Sequence, residues 1–456
     1  MIPFPLSRLK SSRVLATFSN YFDATALDKR ARATGLIQRS GKLGALDFLQ
    51  LCLLCAHSAC SKSLTQLCAS LQEKVGVCLS KQSLDARFSA AAVAFLKACV
   101  ADLLTLQPGW RRSTLTGKAS AFSRVRLGDS TVITLPEQLA AHYRGSGGSA
   151  SASAAKLFHE YDCQCGALLS LQLAEGVKAD QSFNSATGIE AGELVIRDLG
   201  FYQMDFLCKV HQAKAFFISR LRSGTCLFQQ GQQVCFQQLI KGFPPQLQLW
   251  EVQASIGGKA SERETLGQVR LVIERVPQQV YEQRVRRLHQ TARRKGRQVS
   301  QEQLLWHAYQ IYITNAAVEN LPAAQLRHYY GLRWQIELVF KTWKSVWKIA
   351  QLKPMQVHRL ECMLPGTLLL VLLAMPLLYL LKIYLWQKQQ REVSEWKAMV
   401  WLTEHVEAFV NSILLQKHYS SARQFFNYLT RDGLKERRKK NGNYTHNIPF
   451  SIVFAP

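Results

Sequence analysis

The sequence predicts an α/β protein: a mixed sheet with helices on its faces, interrupted by a β-rich insertion and bounded by helical N- and C-terminal regions. Three observations predict it. Residues 1–118 carry helical periodicity. From about residue 119 the pattern changes to alternation, with short apolar strands between helical runs. Residues 223–307 break that rhythm with a series of antiparallel strand patterns. A chain of 456 residues exceeds one ordinary core. The boundaries are 1–118, 119–222, 223–307, 308–385 and 386–456.

Charge narrows the partner. Lys+Arg number 57 against Asp+Glu 31, a net +26. Such an excess favours a polyanion, nucleic acid or an anionic membrane surface, over a small acidic molecule that needs only a local patch. Twelve cysteines and no visible signal peptide in residues 1–13 fit a reducing cytoplasm. Cys52 and Cys55 form a CxxC with His57 and Cys60 nearby, but no second CxxC follows. Buried thiols explain them better than zinc does.

In chain order, residues 46–59 and 64–71 read as helices, and Ser80 or Lys81 opens another. Two short helices with Lys81, Gln82 and Arg87 on the second suggest a helix-turn-helix DNA reader; any small helical bundle gives the same spacing. Helix resumes at 90–106, and Pro108-Gly109 marks a break. Residues 124–133 alternate as a strand holding Asp129. Residues 145–153 read as a mobile Gly/Ser loop, and 156–161 with 167–174 as a hairpin. Residues 193–198 form a buried strand ending in Asp198, and 215–221 form another. Strands follow at 225–230, 233–239, 247–254 and 268–275. Next comes a basic stretch, Arg284, Arg286, Arg287, Arg293, Arg294, Lys295 and Arg297, either a solvated face or a DNA-backbone contact. Strand 310–314 leads to Asn315. The uncharged run 362–381 is long enough to span a bilayer, but Pro365, Gly366 and Pro376 interrupt it, and a buried core helix has the same composition. Residues 435–440 are a basic tail, and 446–456 look irregular.

Residues 329–344 read as one helix. Tyr330, Arg333, Glu337 and Lys344 fall within about 60° on its wheel. Leu332, Ile336, Val339, Trp343 and Val346 form an apolar stripe roughly 110° away. Arg333 and Glu337 alone are an i,i+4 pair, usually a surface salt bridge of about 0.3–0.5 kcal/mol. A largely buried helix gives Glu337 a need for a stronger partner, and metal is one option. Two aspartates on neighbouring strands and a glutamate on a covering helix could hold two Mg²⁺ ions for in-line phosphoryl displacement.

The spacing Tyr330-x2-Arg333-x3-Glu337-x6-Lys344 resembles the YREK signature of insertion-sequence DDE transposases of the insertion sequence four type. Leu127-Gly128-Asp129-Ser130-Thr131 is similar to their first aspartate motif, and Val195-Ile196-Arg197-Asp198-Leu199-Gly200-Phe201 to the second. Ile313-Thr314-Asn315 also looks like family wording. The resemblance covers roughly residues 40–430. It implies an RNase H-like catalytic core with a β-rich insertion, and Mg²⁺ (or Mn²⁺), two ions, held by Asp129, Asp198 and Glu337. It implies DNA-phosphate contacts from Tyr330, Arg333 and Lys344. Its partners are double-stranded DNA, as terminal inverted repeats and target, and a second copy in a homodimer. The reading is a cytoplasmic, nucleoid-associated transposase without a membrane span. The alternatives are a catalytically silent DNA-binding protein on the same fold and a membrane-associated basic protein.

Overall fold

The computed structural model describes residues 17–18, 20–39, 41–55, 62–114, 121–148, 150–257, 265–346, 352–389, 391–414 and 420–435. The readings at residues 1–13, His57, Cys60, 436–440 and 446–456 lie outside the described residues. The chain forms two units. One comprises Met1–Lys118, Ser130–Lys178 and Gln335–Pro456; the other comprises Ala119–Asp129 and Ala179–Trp334.

The first unit is mainly helical. It opens with α1 (Ala24–Ala33), α2 (Ala45–Leu54), α3 (Leu64–Val75), α4 (Lys81–Asp85) and α5 (Ala90–Thr114). Local chemistry sets the starts. Ser63 and Gln66 form a capping box on α3, and the Ser80 hydroxyl accepts from Ser83 N on α4. α4 is only five residues long, little more than one turn, which is short for a recognition helix. α5 runs through Pro108-Gly109 to Thr114, so the expected break is absent.

The helix α12 (Val357–Gln389) organises this unit and packs against α5 and α2. Pro365 and Pro376 lie inside it and do not interrupt it. An interior proline costs about 3 kcal/mol, and burial offsets that: Leu369, Leu370, Val371, Leu372 and Leu373 are all fully buried. A Cβ at Gly366 would stand 2.8 Å from the Cys52 carbonyl oxygen, so glycine is what permits α12 to approach α2 this closely. Val357–Trp386 is long and apolar enough to cross a membrane, yet 94% of its most apolar window is buried inside the protein. That is the environment of a core helix. Cys52 and Cys55 are buried here, and burial pushes both thiols up, as expected for packed thiols rather than thiolate ligands. The unit closes with α13 (Glu395–Glu404), α14 (Val406–Leu414) and α15 (Ser420–Arg431).

The strand β1 (Arg124–Thr134) contributes to both units, with Arg124–Asp129 in the second. In the helical unit it is followed by the antiparallel hairpin β2 (Ala154–Asp162) and β3 (Leu168–Glu175), in the order β3-β2-β1. In the Gly/Ser segment before β2, Gly145 N donates to the Ala152 carbonyl and the Ser153 hydroxyl to that of Tyr143.

In the second unit the strand order is β1-β4-β5-β10-β9-β8-β6-β7. The members are β4 (Glu193–Arg197), β5 (Phe216–Arg220), β6 (Cys226–Gln229), β7 (Gln232–Val234), β8 (Leu249–Gly257), β9 (Thr265–Arg275) and β10 (Tyr309–Thr314). β1, β4 and β5 are parallel, and β10 is antiparallel to both β5 and β9. The helix α6 (Met204–Gln212) makes the β4–β5 crossover. The β-rich stretch therefore continues this sheet. Leu227, Phe236, Ile256 and Leu271 share one hydrophobic core with Val195, Val210, Phe217 and Ile313.

Residues 233–239 are not one strand. Helix α7 (Phe236–Lys241) begins there because Cys235 and Gln238 form a capping box, with Cys235 N donating to Gln238 Oε1 at 2.8 Å. The basic stretch forms α8 (Gln278–Arg294), followed by α9 (Gln301–His307).

The helix expected over 329–344 is two: α10 (Ala323–Gly331) and α11 (Arg333–Val346), with Leu332 between them. Leu332 N donates to the Tyr329 carbonyl, a tightened closing turn. Gly331, a poor helix former, stands at the joint. Tyr330 thus lies on a different helix from the other three signature residues. The apolar stripe of α11 is as expected, with Ile336, Val339 and Trp343 buried.

Candidate active site

The site is built from the ends of two parallel strands. Register pairs Arg124 with Glu193 and runs on to Gly128 opposite Arg197. The next residues are Asp129 and Asp198, each one step beyond the last paired residues of the two strands. Asp198 lies one residue past β4 and precedes a short 3₁₀ turn, Leu199–Phe201, so its carboxylate leaves the sheet at the strand's C-terminal end. Ligand sites of α/β sheets commonly lie at that edge.

A buried ion cluster fixes the register from the opposite end. Arg124 Nη1 pairs with Glu193 Oε1, and Arg126 Nε donates to Glu193 Oε2 at 3.0 Å. Arg126 Nη2 also donates to the Gly188 carbonyl. The three side chains are at most 7% exposed. A slip of one residue would unpair all three charges and would also turn Asp129 to the other face.

Arg333 opens α11 and reaches both aspartates, with Nη1 at 4.0 Å from Asp129 Oδ2 and Nε at 3.7 Å from Asp198 Oδ1. Its guanidinium also lies 5.3 Å from the ring centre of Trp334, which is half exposed. The Tyr330 hydroxyl donates to Asp198 Oδ1 at 3.5 Å, and its ring packs 5.2 Å from that of Tyr312. Burial first, then the Asp198 charge, pushes the Tyr330 phenol up, so it stays a donor. Glu337 stands one helical turn beyond Arg333 on α11 and is half-buried. Lys344 is half-buried near the helix end, and desolvation lowers its ammonium pKa.

Two further residues support the site. Asn315 latches the end of β10 to β5: its Oδ1 accepts from Phe217 N at 2.8 Å and its Nδ2 donates to the Ala215 carbonyl at 2.9 Å. Arg270 on β9 is bidentate to Glu251 at 2.7 and 2.8 Å and donates to the carbonyls of Ala316 and Leu321. It thereby holds the loop that delivers α10 and Tyr330. The Ile-Thr-Asn wording points to Asn315, whereas nothing local marks Arg270, whose partners lie 19 to 51 residues away.

The donor set suits a hard divalent cation, since carboxylate oxygens at one strand edge are what such ions take, often only one or two of them with substrate phosphate completing the shell. Among the described residues no three His, Cys, Asp or Glu side chains gather closely enough to hold one ion. What the second unit assembles is the aspartate pair, with a cation against it.

The description "Transposase DDE domain" matches residues 120–373. The chain is 30% identical over 447 residues to the transposase for insertion sequence element IS231C of Bacillus thuringiensis subsp. berliner, covering 94% of this chain and 91% of that one. It is 29% identical over 454 residues to the transposase for IS231D of B. thuringiensis subsp. finitimus, covering 95% and 92%. It is 27% identical over 440 residues to the transposase for IS1151 of Clostridium perfringens, covering 91% and 92%. With the matched domain spanning more than half of its length and holding both paired aspartates, the chain belongs to the DDE transposase family of insertion sequences.

Proposed function

We propose that the protein is the DNA transposase of a bacterial insertion sequence, binding the element's ends and catalysing metal-dependent strand cleavage and strand transfer. The observation that carries this is the placement of Asp129 beside Asp198 at the C-terminal edge of parallel strands, with Arg333 reaching both. The two aspartates, with Glu337 as third ligand, would hold divalent metal, Mg²⁺ or Mn²⁺, as two ions. Bound divalent metal supplies activation of a water or 3′-hydroxyl and stabilisation of the leaving oxygen. In the first reaction water attacks the phosphorus, the P–O3′ bond breaks and a 3′-hydroxyl is freed. In the second, that hydroxyl attacks a target phosphodiester and displaces a new 3′-oxygen.

The protein's side chains position the phosphate. Arg333 offsets the repulsion between the two aspartates, and its planar fork fits a phosphate bidentately. Tyr330, already a donor toward Asp198, holds a phosphate oxygen, and Lys344 contributes a point charge. Desolvation lowers the Lys344 pKa, and an anionic partner would offset that desolvation.

The wider division of labour is part of the same proposal. Residues 1–118 bind DNA. Residues 119–222 and 308–385 form an RNase H-like core, and 223–307 are its β-rich insertion. The strand order β3-β2-β1-β4-β5 supports that core, and the shared sheet and hydrophobic core support an insertion built as an extension. Residues 386–456 form the helical C-terminal region. The protein works as a homodimer on two ends, in the cytoplasm on the nucleoid and without a membrane span; the buried α12 supports the last point.

The test is a plasmid nicking assay with Mg²⁺ on DNA carrying the inverted repeats that flank the coding sequence. Wild type nicks at the element end, and Glu337→Gln binds the end but does not cut. Cutting at the wild-type rate by Glu337→Gln removes the assignment of that carboxylate. End binding without any cutting by wild type establishes the silent DNA-binding reading instead.

A further inference from the structure

Helix α8 has two unlike faces. Tyr281, Arg284, Val285, Leu288 and Ala292 are half-buried and recur at helical spacing, so they form the side turned toward the protein. Arg284 fastens that side: it donates to the carbonyls of His307 and Tyr309 and to Gln310 Oε1 at 2.7 Å. The helix is thereby tied to the start of β10, in the same unit as Asp129 and Asp198. On the opposite side stand Arg286, Arg287, Arg293 and Arg294, all exposed. They form two pairs seven residues apart, about 10 Å along the axis. Gln283 and Gln290 lie between them, exposed. Glu282 is the single carboxylate on the helix, and it lies at the edge of this face, 3.9 Å from Arg286.

A solvated helix is usually mixed in sign. This one sets four guanidinium groups on one side of a fastened helix, on a chain of net charge +26. We infer that the outer face of α8 is a second duplex-DNA contact, in which Arg286, Arg287, Arg293 and Arg294 grip the phosphate backbone away from the cutting site. The inference rests on the transposase reading for its choice of polyanion. Guanidinium groups suit phosphate, an α-helix fits the major groove, and glutamines between arginines can reach base edges or sugars without repelling the backbone.

The experiment uses the full chain with all four arginines changed to Gln, and a second variant with Lys at the same positions. Binding to two labelled duplexes, one carrying the inverted repeat and one unrelated, is measured by anisotropy across a salt series. Removing one arginine–phosphate pairing reduces the slope of log K against log salt by about 0.9, so the Gln variant is expected to be shallower by about 2 to 4. Lys restores most of the slope. A shallower slope on both duplexes, or on the repeat alone, or on the unrelated duplex alone, each supports a DNA contact and identifies which DNA it holds. Unchanged slopes on both duplexes overturn the inference, as does a slope that Lys fails to restore. An unchanged unfolding temperature confirms that the variants are folded. Metal-dependent nicking by wild type is scored separately, so a failed α8 contact is distinguishable from a failed transposase assignment.

Discussion

The two ends of the β1–β4 pair carry the same residue types in opposite proportion. At one end two arginines meet one carboxylate: Arg124 and Arg126 enclose Glu193, all three nearly buried. At the other end one arginine meets two carboxylates: Arg333 lies 4.0 and 3.7 Å from Asp129 and Asp198, and the Asp198 side chain is 45% exposed. The first end is tightly hydrogen-bonded and closed. At the second, the contacts to Arg333 are longer and Asp198 lies at an accessible edge. The difference separates a cluster that sets strand register from one able to exchange partners, because a charge held by short buried hydrogen bonds cannot be released without a large cost.

The largest effect is expected at the closed end. Glu193→Gln removes the buried carboxylate that Arg124 and Arg126 share and destabilises the fold by about 3–5 kcal/mol. Urea unfolding measures it. A loss below about 1 kcal/mol would mean the cluster is worth no more than a surface pair, and the contrast between the ends would collapse. At the open end, Asp129→Asn keeps stability near wild type but cuts DNA at least about a hundredfold more slowly, given that groups merely supporting a metal ligand already account for about 10–100-fold. Retained cutting at Asp129→Asn breaks the comparison from the functional side.

Legibility follows the same division. Asp129, Asp198 and Glu337 stand out as candidates because strand alternation, helical spacing and the YREK pattern are local properties of the chain. The register that brings the aspartates together is not, since Arg124 and Glu193 are 69 residues apart and neither position announces its partner. The fold class is readable from periodicity. Its errors come where tertiary burial or unusual caps override local rules. Prolines 108, 365 and 376 sit inside helices, the last two within a helix buried on nearly all sides. Cys235, a residue rarely read as a cap, starts a helix where the pattern suggests a strand. Elsewhere one expected helix becomes two, which meet at Leu332.

Arg333 tests whether the open end truly exchanges partners. Arg333→Gln removes the charge that faces both aspartates and a bidentate phosphate donor. Losing a hydrogen bond to a charged group costs about 1.5–3 kcal/mol, so cutting falls by about ten- to a hundredfold. Binding of an already nicked end falls with it, whereas the melting temperature moves little because the pair is long and partly exposed. A large drop in melting temperature with intact cutting would make Arg333 a structural residue like Arg124.

His159 on β2 supplies a third case: a polar group buried among aromatic rings. It is fully buried, and among the described residues neither ring nitrogen has a hydrogen-bond partner. Its ring stacks on Tyr161 and meets Phe340 edge-on at 4.5 Å and Trp343 at 5.0 Å, both on α11. Burial lowers its pKa from 6.5 to about 3. The folded state therefore keeps it neutral while the unfolded chain takes up a proton below pH 6.5. Above that value the group costs nothing by titration. As pH falls below it, stability drops by up to about 1.4 kcal/mol per unit, until the folded pKa is reached. His159→Phe keeps the ring contacts and removes the titration. Between pH 6.5 and 5 the wild type is expected to lose about 2 kcal/mol more than the variant, read from denaturant midpoints at the two pH values. Equal losses would mean that the ring gains a proton in the folded state, and hence a polar partner in solution. The helix bearing Glu337 would then rest on a polar contact rather than on an aromatic one.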